Sequence, residues 1–268
     1  MIAIGVLLIA IVGPWVTGDP LARDLDHGLS PLGAPRSPSA DAWLGTDPLG
    51  RDVLARLVSG AGTSLWIAGV ATAIATVIGV AVGMVAGYRG GWIDAALMRT
   101  VDLVLAFPVV LVAILLATLL RSTSLASSSA PVILTMAAVT WTALARVVRS
   151  KTLVVRTSTH VLAARALGAT TTRILVRHVL PNLAGVIAAF AILGFSQNFL
   201  FEAMLSYLGL GPPPPAPTWG RMIYEAHAYY RTSPHLVLAP GLAIVITVVG
   251  FGLLGDGLRA RFAPKERA

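Results

Sequence analysis

The chain has 268 residues, of which 56% are hydrophobic and only 12% charged, and its mean hydropathy is +0.81. A water-soluble domain carries about twice that charged fraction, so most of the apolar surface must face lipid or other helices. The net charge of +8 sits beside apolar runs, as topology-setting charge and anionic-lipid contact require, which argues against a nucleic-acid partner. No cysteine is present, which excludes disulfides and thiolate metal sites.

A membrane core of ~30 Å needs about 20 apolar residues per helix. Six runs qualify as candidate spans, at 2–16, 64–87, 101–120, 131–148, 183–205 and 236–254. The expected fold is therefore all-α and polytopic. The first run is short and lacks a basic residue before it. A start codon assigned too far downstream, or a locally thinned first span, explains this better than a signal peptide, which opens on charge. The expected organisation is a first helix over 1–17, an extracytoplasmic segment over 18–63, and a five-helix core over 64–268 that includes a coupling loop at 149–182.

Residues 18–41 are rich in Pro, Ser and Asp and read as irregular chain. Asp47-Pro48 then resembles a helix start, with Asp as N-cap and Pro at the first helical position. Val53, Leu54, Leu57 and Val58 form one apolar stripe, and Asp52 and Arg56 stand at pairing distance along a helix. An amphipathic helix on the outer membrane surface is expected there. In the second span Gly79, Gly83 and Gly87, each four apart, favour close helix packing. Asp102 and Asp256, near the inner ends of spans three and six, are expected to pair with Arg99 and Arg259.

The loop between spans four and five carries Arg146, Arg149, Lys151, Arg156, Arg165, Arg173 and Arg177 and no acid. With the N-terminus inside, inner segments hold thirteen Lys or Arg against seven outside, which favours both termini in the cytoplasm. Within this loop Val161 to Leu167 is a good helix former. Ala163, Ala164 and Ala166 give it low relief, and Gly168 can end it in the left-handed conformation. A second helix can restart over 170–180, with Pro181 at the entry to span five. A small-residue helix of this kind suits docking into another protein. In span five Gln197, Asn198 and Glu202 are polar, and such residues mark function by default; a polar path lining and interhelical hydrogen bonding are both open readings.

No G-x-x-x-x-G-K-[ST], H-E-x-x-H, G-x-S-x-G or G-x-G-x-x-G occurs, and the five histidines lack ligand spacing. A stand-alone secondary transporter would need an ion site and repeated, broken helices; the spans carry little charge and no repeat. An intramembrane enzyme would need a nucleophile–base pair or a metal site at depth.

The stretch Leu162-Ala163-Ala164-Arg165-Ala166-Leu167-Gly168, followed by Leu180-Pro181, resembles the ATPase-docking loop of ABC importer permeases, with Leu162 where the family has glutamate. Trp43 to Val53, Leu205 to Gly211 with Pro217 to Gly220, Pro240 to Ala243 and Leu254 to Arg259 resemble the C-type permease subunit of dipeptide and oligopeptide importers. The likeness runs from about Trp43 to Pro264. It implies a type I ABC importer permease fold in a bacterial inner membrane. It also implies a homologous second permease, two ATPase subunits and an extracytoplasmic peptide-binding protein as partners, besides membrane lipid. ATP and Mg would be bound by the ATPases, with no cofactor and no covalent chemistry in this chain. Leu162 to Gly168 would couple to the ATPases, and Gln197, Asn198 and Glu202 would line the path. Nickel or haem as cargo is the alternative to peptide.

Overall fold

The computed structural model describes residues 1–31 and 33–262; Pro264, Lys265 and Arg267, which entered the resemblance and the charge count, lie outside the described residues. Among the described residues the regular structure is helical, with two isolated β-bridges, Leu29 to Pro35 and Thr46 to Asp52. The helices are α1 (Ile2–Val12), α2 (Val53–Arg89), α3 (Gly91–Ala106), α4 (Val109–Arg121), α5 (Ala130–Val155), α6 (Thr159–Ala166), α7 (Thr171–Ile174), α8 (Leu180–Tyr207), α9 (Trp219–Ala226) and α10 (His235–Phe262).

Four helical runs are long and apolar enough to cross a membrane: α2, α5, the run Thr171–Tyr207 that ends in α8, and α10. The fifth is broken. Helices α3 and α4 are bent by 92° at Phe107, which is extended at φ −102°, ψ 149°. Pro108 causes this, because its ring disfavours the helical region for the preceding residue. The uninterrupted span expected over 101–120 is therefore two helices. Helix α1 has 11 residues and rises only ~16 Å.

Helix α2 starts later than expected and does not stop. Asp47 to Gly50 is a turn, closed by Gly50 N–H donating to the Asp47 carbonyl at 2.9 Å. Gly50 has φ +71°, and a Cβ there would strike the Asp24 carbonyl, so no helix can run through it. Asp52, not Asp47, caps the helix, accepting from Leu54 N–H at 2.7 Å and Ala55 N–H at 3.3 Å. From Val53 the helix continues for 37 residues. Its first turns are no separate surface helix, for Val53 and Val58 are buried in the protein.

The described residues divide into two compact units, the first drawn from 1–31, 33–70, 114–134 and 195–251, and the second from 71–113, 135–194 and 252–262. The first is built on Val53, Ala61, Leu65, Phe199, Trp219 and Leu236. Trp219 meets Phe199 edge-on at 5.5 Å and donates its indole N–H to the Leu57 carbonyl at 2.7 Å. In the second unit the three glycines of α2 meet α5. A Cβ on Gly79, Gly83 or Gly87 would stand 2.8, 2.5 or 2.7 Å from the carbonyl oxygens of Trp141, Ala145 and Arg149. Both helices advance four residues per step, so the glycines keep one contact line and bring the backbones together.

Candidate coupling surface and path residues

Helix α6 covers Thr159–Ala166, and Gly168 follows it at φ +77°, the left-handed value that glycine permits. The turn closes by Gly168 N–H donating to the Arg165 carbonyl and Ala169 N–H to the Ala164 carbonyl, both at 3.0 Å. The helix has two faces. Val161 and Ala164 are buried in a core with Leu144, Val148, Ile174, Val179 and Leu183. Leu162, Ala163, Arg165, Ala166, Leu167 and Gly168 are exposed, with Leu167 at 87%.

Two arginines tie this loop to the end of α2. Arg156 donates to the Gly87 carbonyl at 2.9 Å, a cation at a helix C-terminus where the dipole favours it. Arg165 donates to the Tyr88 hydroxyl at 3.1 Å, with its guanidinium 5.3 Å from the ring centre. After Gly168, Thr170 caps α7 by accepting from Arg173 N–H at 3.4 Å. Leu175–Val179 then adopts a π-helical turn before α8. Pro181 explains it, since proline has no N–H to return to Arg177 and a widened turn absorbs the mismatch. The Asn182 side chain supplies a donor to the His178 carbonyl at 2.6 Å.

The three polar residues of span five part company. Gln197 is exposed, whereas Asn198 and Glu202 are enclosed in the first unit, at 1% and 0% exposure. Glu202 accepts from the Ser206 hydroxyl at 2.5 Å. Gln197 is therefore the accessible one of the three in this chain, and the Glu202–Ser206 bond lies within α8. Asp102 pairs with Arg146 at 2.6 Å, not with Arg99, because α5 brings a guanidinium across to it. Arg149 likewise holds Asp94 at 2.5 Å. Arg259 lies over the Phe190 ring at 5.8 Å, and no ion pair to Asp256 occurs among the described residues.

Residues 79–268 match the family described as binding-protein-dependent transport system inner membrane component. The chain is 37% identical to the dipeptide transport system permease protein DppC of Alkalihalophilus pseudofirmus, over 98% of this chain and 83% of that protein. It is 39% identical to the glutathione transport system permease protein GsiD of Escherichia coli, over 97% of this chain and 82% of that one, and equally to that of Shigella boydii. The chain belongs to the binding-protein-dependent transport permeases. Among solved structures, the inward-facing MetNI methionine ABC transporter superposes with a TM-score of 0.63 at 21% identity, covering 76% of this chain and 95% of that one, which supports the fold.

The protein is thus a multi-pass membrane permease component of an ABC importer, and the stand-alone carrier reading falls away. ATPases, a second permease and a solute-binding protein are the partners that membership in such importers implies. One cluster in this permease escaped the sequence reading. Asp47 bonds Arg51 at 2.6 Å and also holds Arg56. Glu225 on α9 bonds Arg51 at 3.0 Å, Arg56 at 2.8 Å and Arg221 at 2.8 Å. Arg56 is 2% exposed, and its ion pairs among the described residues are to Asp47 and Glu225, not to Asp52. Burial pushes the Glu225 carboxyl up, but the charge of Arg56, with Arg221 and Arg51, outweighs it and holds the carboxyl below its ordinary value. The signal available was Asp47 and Arg51 at four-residue spacing in a charge-poor chain; Glu225, far along the sequence, had none.

Proposed function

We propose that this permease forms half of a path for di- or oligopeptides and that α6 is the helix through which ATPase subunits drive it. The carrying observation is the two-faced α6. Val161 and Ala164 anchor it, Arg165 ties it to Tyr88, and Leu162, Ala163, Ala166 and Leu167 form an apolar, low-relief outer face. A rigid short helix of this kind transmits a push on its outer face to α2 and α8 instead of yielding to it. ATP and Mg belong to the ATPases, which close on hydrolysis-linked cycles and move α6 as a lever. The positive-inside bias supports placing this loop and both termini in the cytoplasm, with the solute delivered on the other side by a binding protein. Relatives named for dipeptide and glutathione transport, both short peptides, support the cargo class.

The test is uptake into proteoliposomes holding the complete complex with its binding protein. ATP-dependent accumulation of a labelled dipeptide or of glutathione is expected. Accumulation of nickel or haem with neither peptide transported would overturn the cargo assignment.

A further inference from the structure

A cavity of about 200 Å³ with mixed polar and apolar walls lies at the junction of α8 and α9, lined by Ser206, Gly209, Gly211, Pro212, Arg221 and Tyr224. Its walls are held in place. Arg121 at the end of α4 donates to the Gly209 carbonyl at 2.7 Å and to the Gly211 carbonyl, pinning the turn that forms the rim. A Cβ on Gly211 would collide with the Ser206 side chain, so the turn closes directly on α8. Tyr224 meets Tyr207 edge-on at 6.5 Å and stacks on His227 at 5.7 Å.

The charge beside this cavity is unbalanced. Arg51, Arg56 and Arg221 converge on only two carboxylates, Asp47 and Glu225. Arg221 engages Glu225 through Nε, and among the described residues no bond to its two Nη nitrogens occurs. Arg121 adds a second cation, held by carbonyls alone. The Glu202 carboxyl is fully buried and accepts from the Ser206 hydroxyl. Arg221 and Tyr224 both line the cavity, and a guanidinium and a phenol hydroxyl are donors that suit a carboxylate.

We propose that this cavity binds a carboxylate of the transported solute, the C-terminal carboxylate of a peptide, on Arg221 and Tyr224. The inference rests on the peptide reading above. It adds that the permease itself, and not the binding protein alone, distinguishes a free peptide end from a blocked one.

The experiment compares uptake of a dipeptide and of its C-terminal amide by the complete reconstituted complex, with wild-type permease, Arg221→Gln and Tyr224→Phe. The same binding protein serves all three, so its own preference cancels when the acid-to-amide ratio is compared between them. The ratio is expected to fall roughly tenfold in Arg221→Gln and roughly threefold in Tyr224→Phe, as loss of an ionised and of a neutral donor to a carboxylate implies, with amide uptake reduced less than acid uptake. Equal loss of acid and amide uptake overturns the inference and leaves peptide transport standing. Absence of uptake of either peptide by the wild type overturns the peptide reading instead. If Arg221→Gln does not assemble, Tyr224→Phe decides, because Tyr224 is half exposed and its hydroxyl is not needed for packing; an unchanged ratio there overturns the inference.

Discussion

Arg56 in the first turn of α2 and Glu225 in α9 face each other at 2.8 Å, and Arg56 is 2% exposed. A guanidinium so enclosed depends on its carboxylates, because removing one partner of a buried pair leaves the other charge desolvated. Glu225→Gln is expected to destabilise the permease by about 3 kcal/mol, read as a lowered melting temperature in detergent. An unchanged melting temperature would show that Asp47 alone suffices.

The same carboxyl gives a pH dependence. Its folded-state value lies below its ordinary one, so its contribution is complete above the ordinary carboxylate range and is lost as pH falls through the folded value. The melting temperature of the wild type is expected to drop on acidification below that range, and the drop to shrink in Glu225→Gln. Parallel acid profiles for the two proteins would contradict this.

Gly83 is expected to tolerate no side chain. A Cβ there would stand 2.5 Å from the Ala145 carbonyl, which is backbone and cannot yield. Gly83→Leu should abolish accumulation of folded protein. Gly241→Ala in α10 meets nothing within 4 Å and should be neutral or stabilising by up to ~1 kcal/mol. Equal abundance of the two variants, measured by size-exclusion chromatography in detergent, would contradict the packing account.

Cysteine scanning separates path from core in span five, since the chain has no cysteine of its own. A cysteine at Gln197 is expected to react with a small aqueous thiol reagent in one nucleotide state and not the other. Cysteines at Asn198 and Glu202, enclosed at 1% and 0% exposure, should stay unreactive in both. State-dependent labelling at 198 would restore that residue to the path.

Much of this arrangement was legible in the sequence because it is local. Apolar length marks α2, α5, α8 and α10. The four-residue spacing of Gly79, Gly83 and Gly87 foretells the α2–α5 contact line, and Gly168 the left-handed end of α6. Pro108 carried the signal for the α3–α4 break, which apolar length alone overrode. The ion cluster was not legible, since Asp47 and Glu225 meet only through tertiary folding. Nor was the burial of Asn198 and Glu202, because helical spacing tells which residues share a face and not what covers that face.

If α6 couples this permease to its ATPases, Leu162 and Leu167 on its exposed face make the contact. Burying Leu162 or Leu167 against a partner is worth roughly 1.5–3 kcal/mol each, more than the ~1 kcal/mol or less of an exposed ion pair, so an apolar contact serves where the docking motif that this loop resembles has a glutamate. The most direct measurement is ATPase activity and peptide uptake side by side, in proteoliposomes carrying wild-type permease, Leu162→Glu or Gly168→Asp. The account predicts that both variants reach the membrane in normal amount, retain ATP hydrolysis, and lose the uptake that hydrolysis drives. Wild-type uptake by both variants would contradict it.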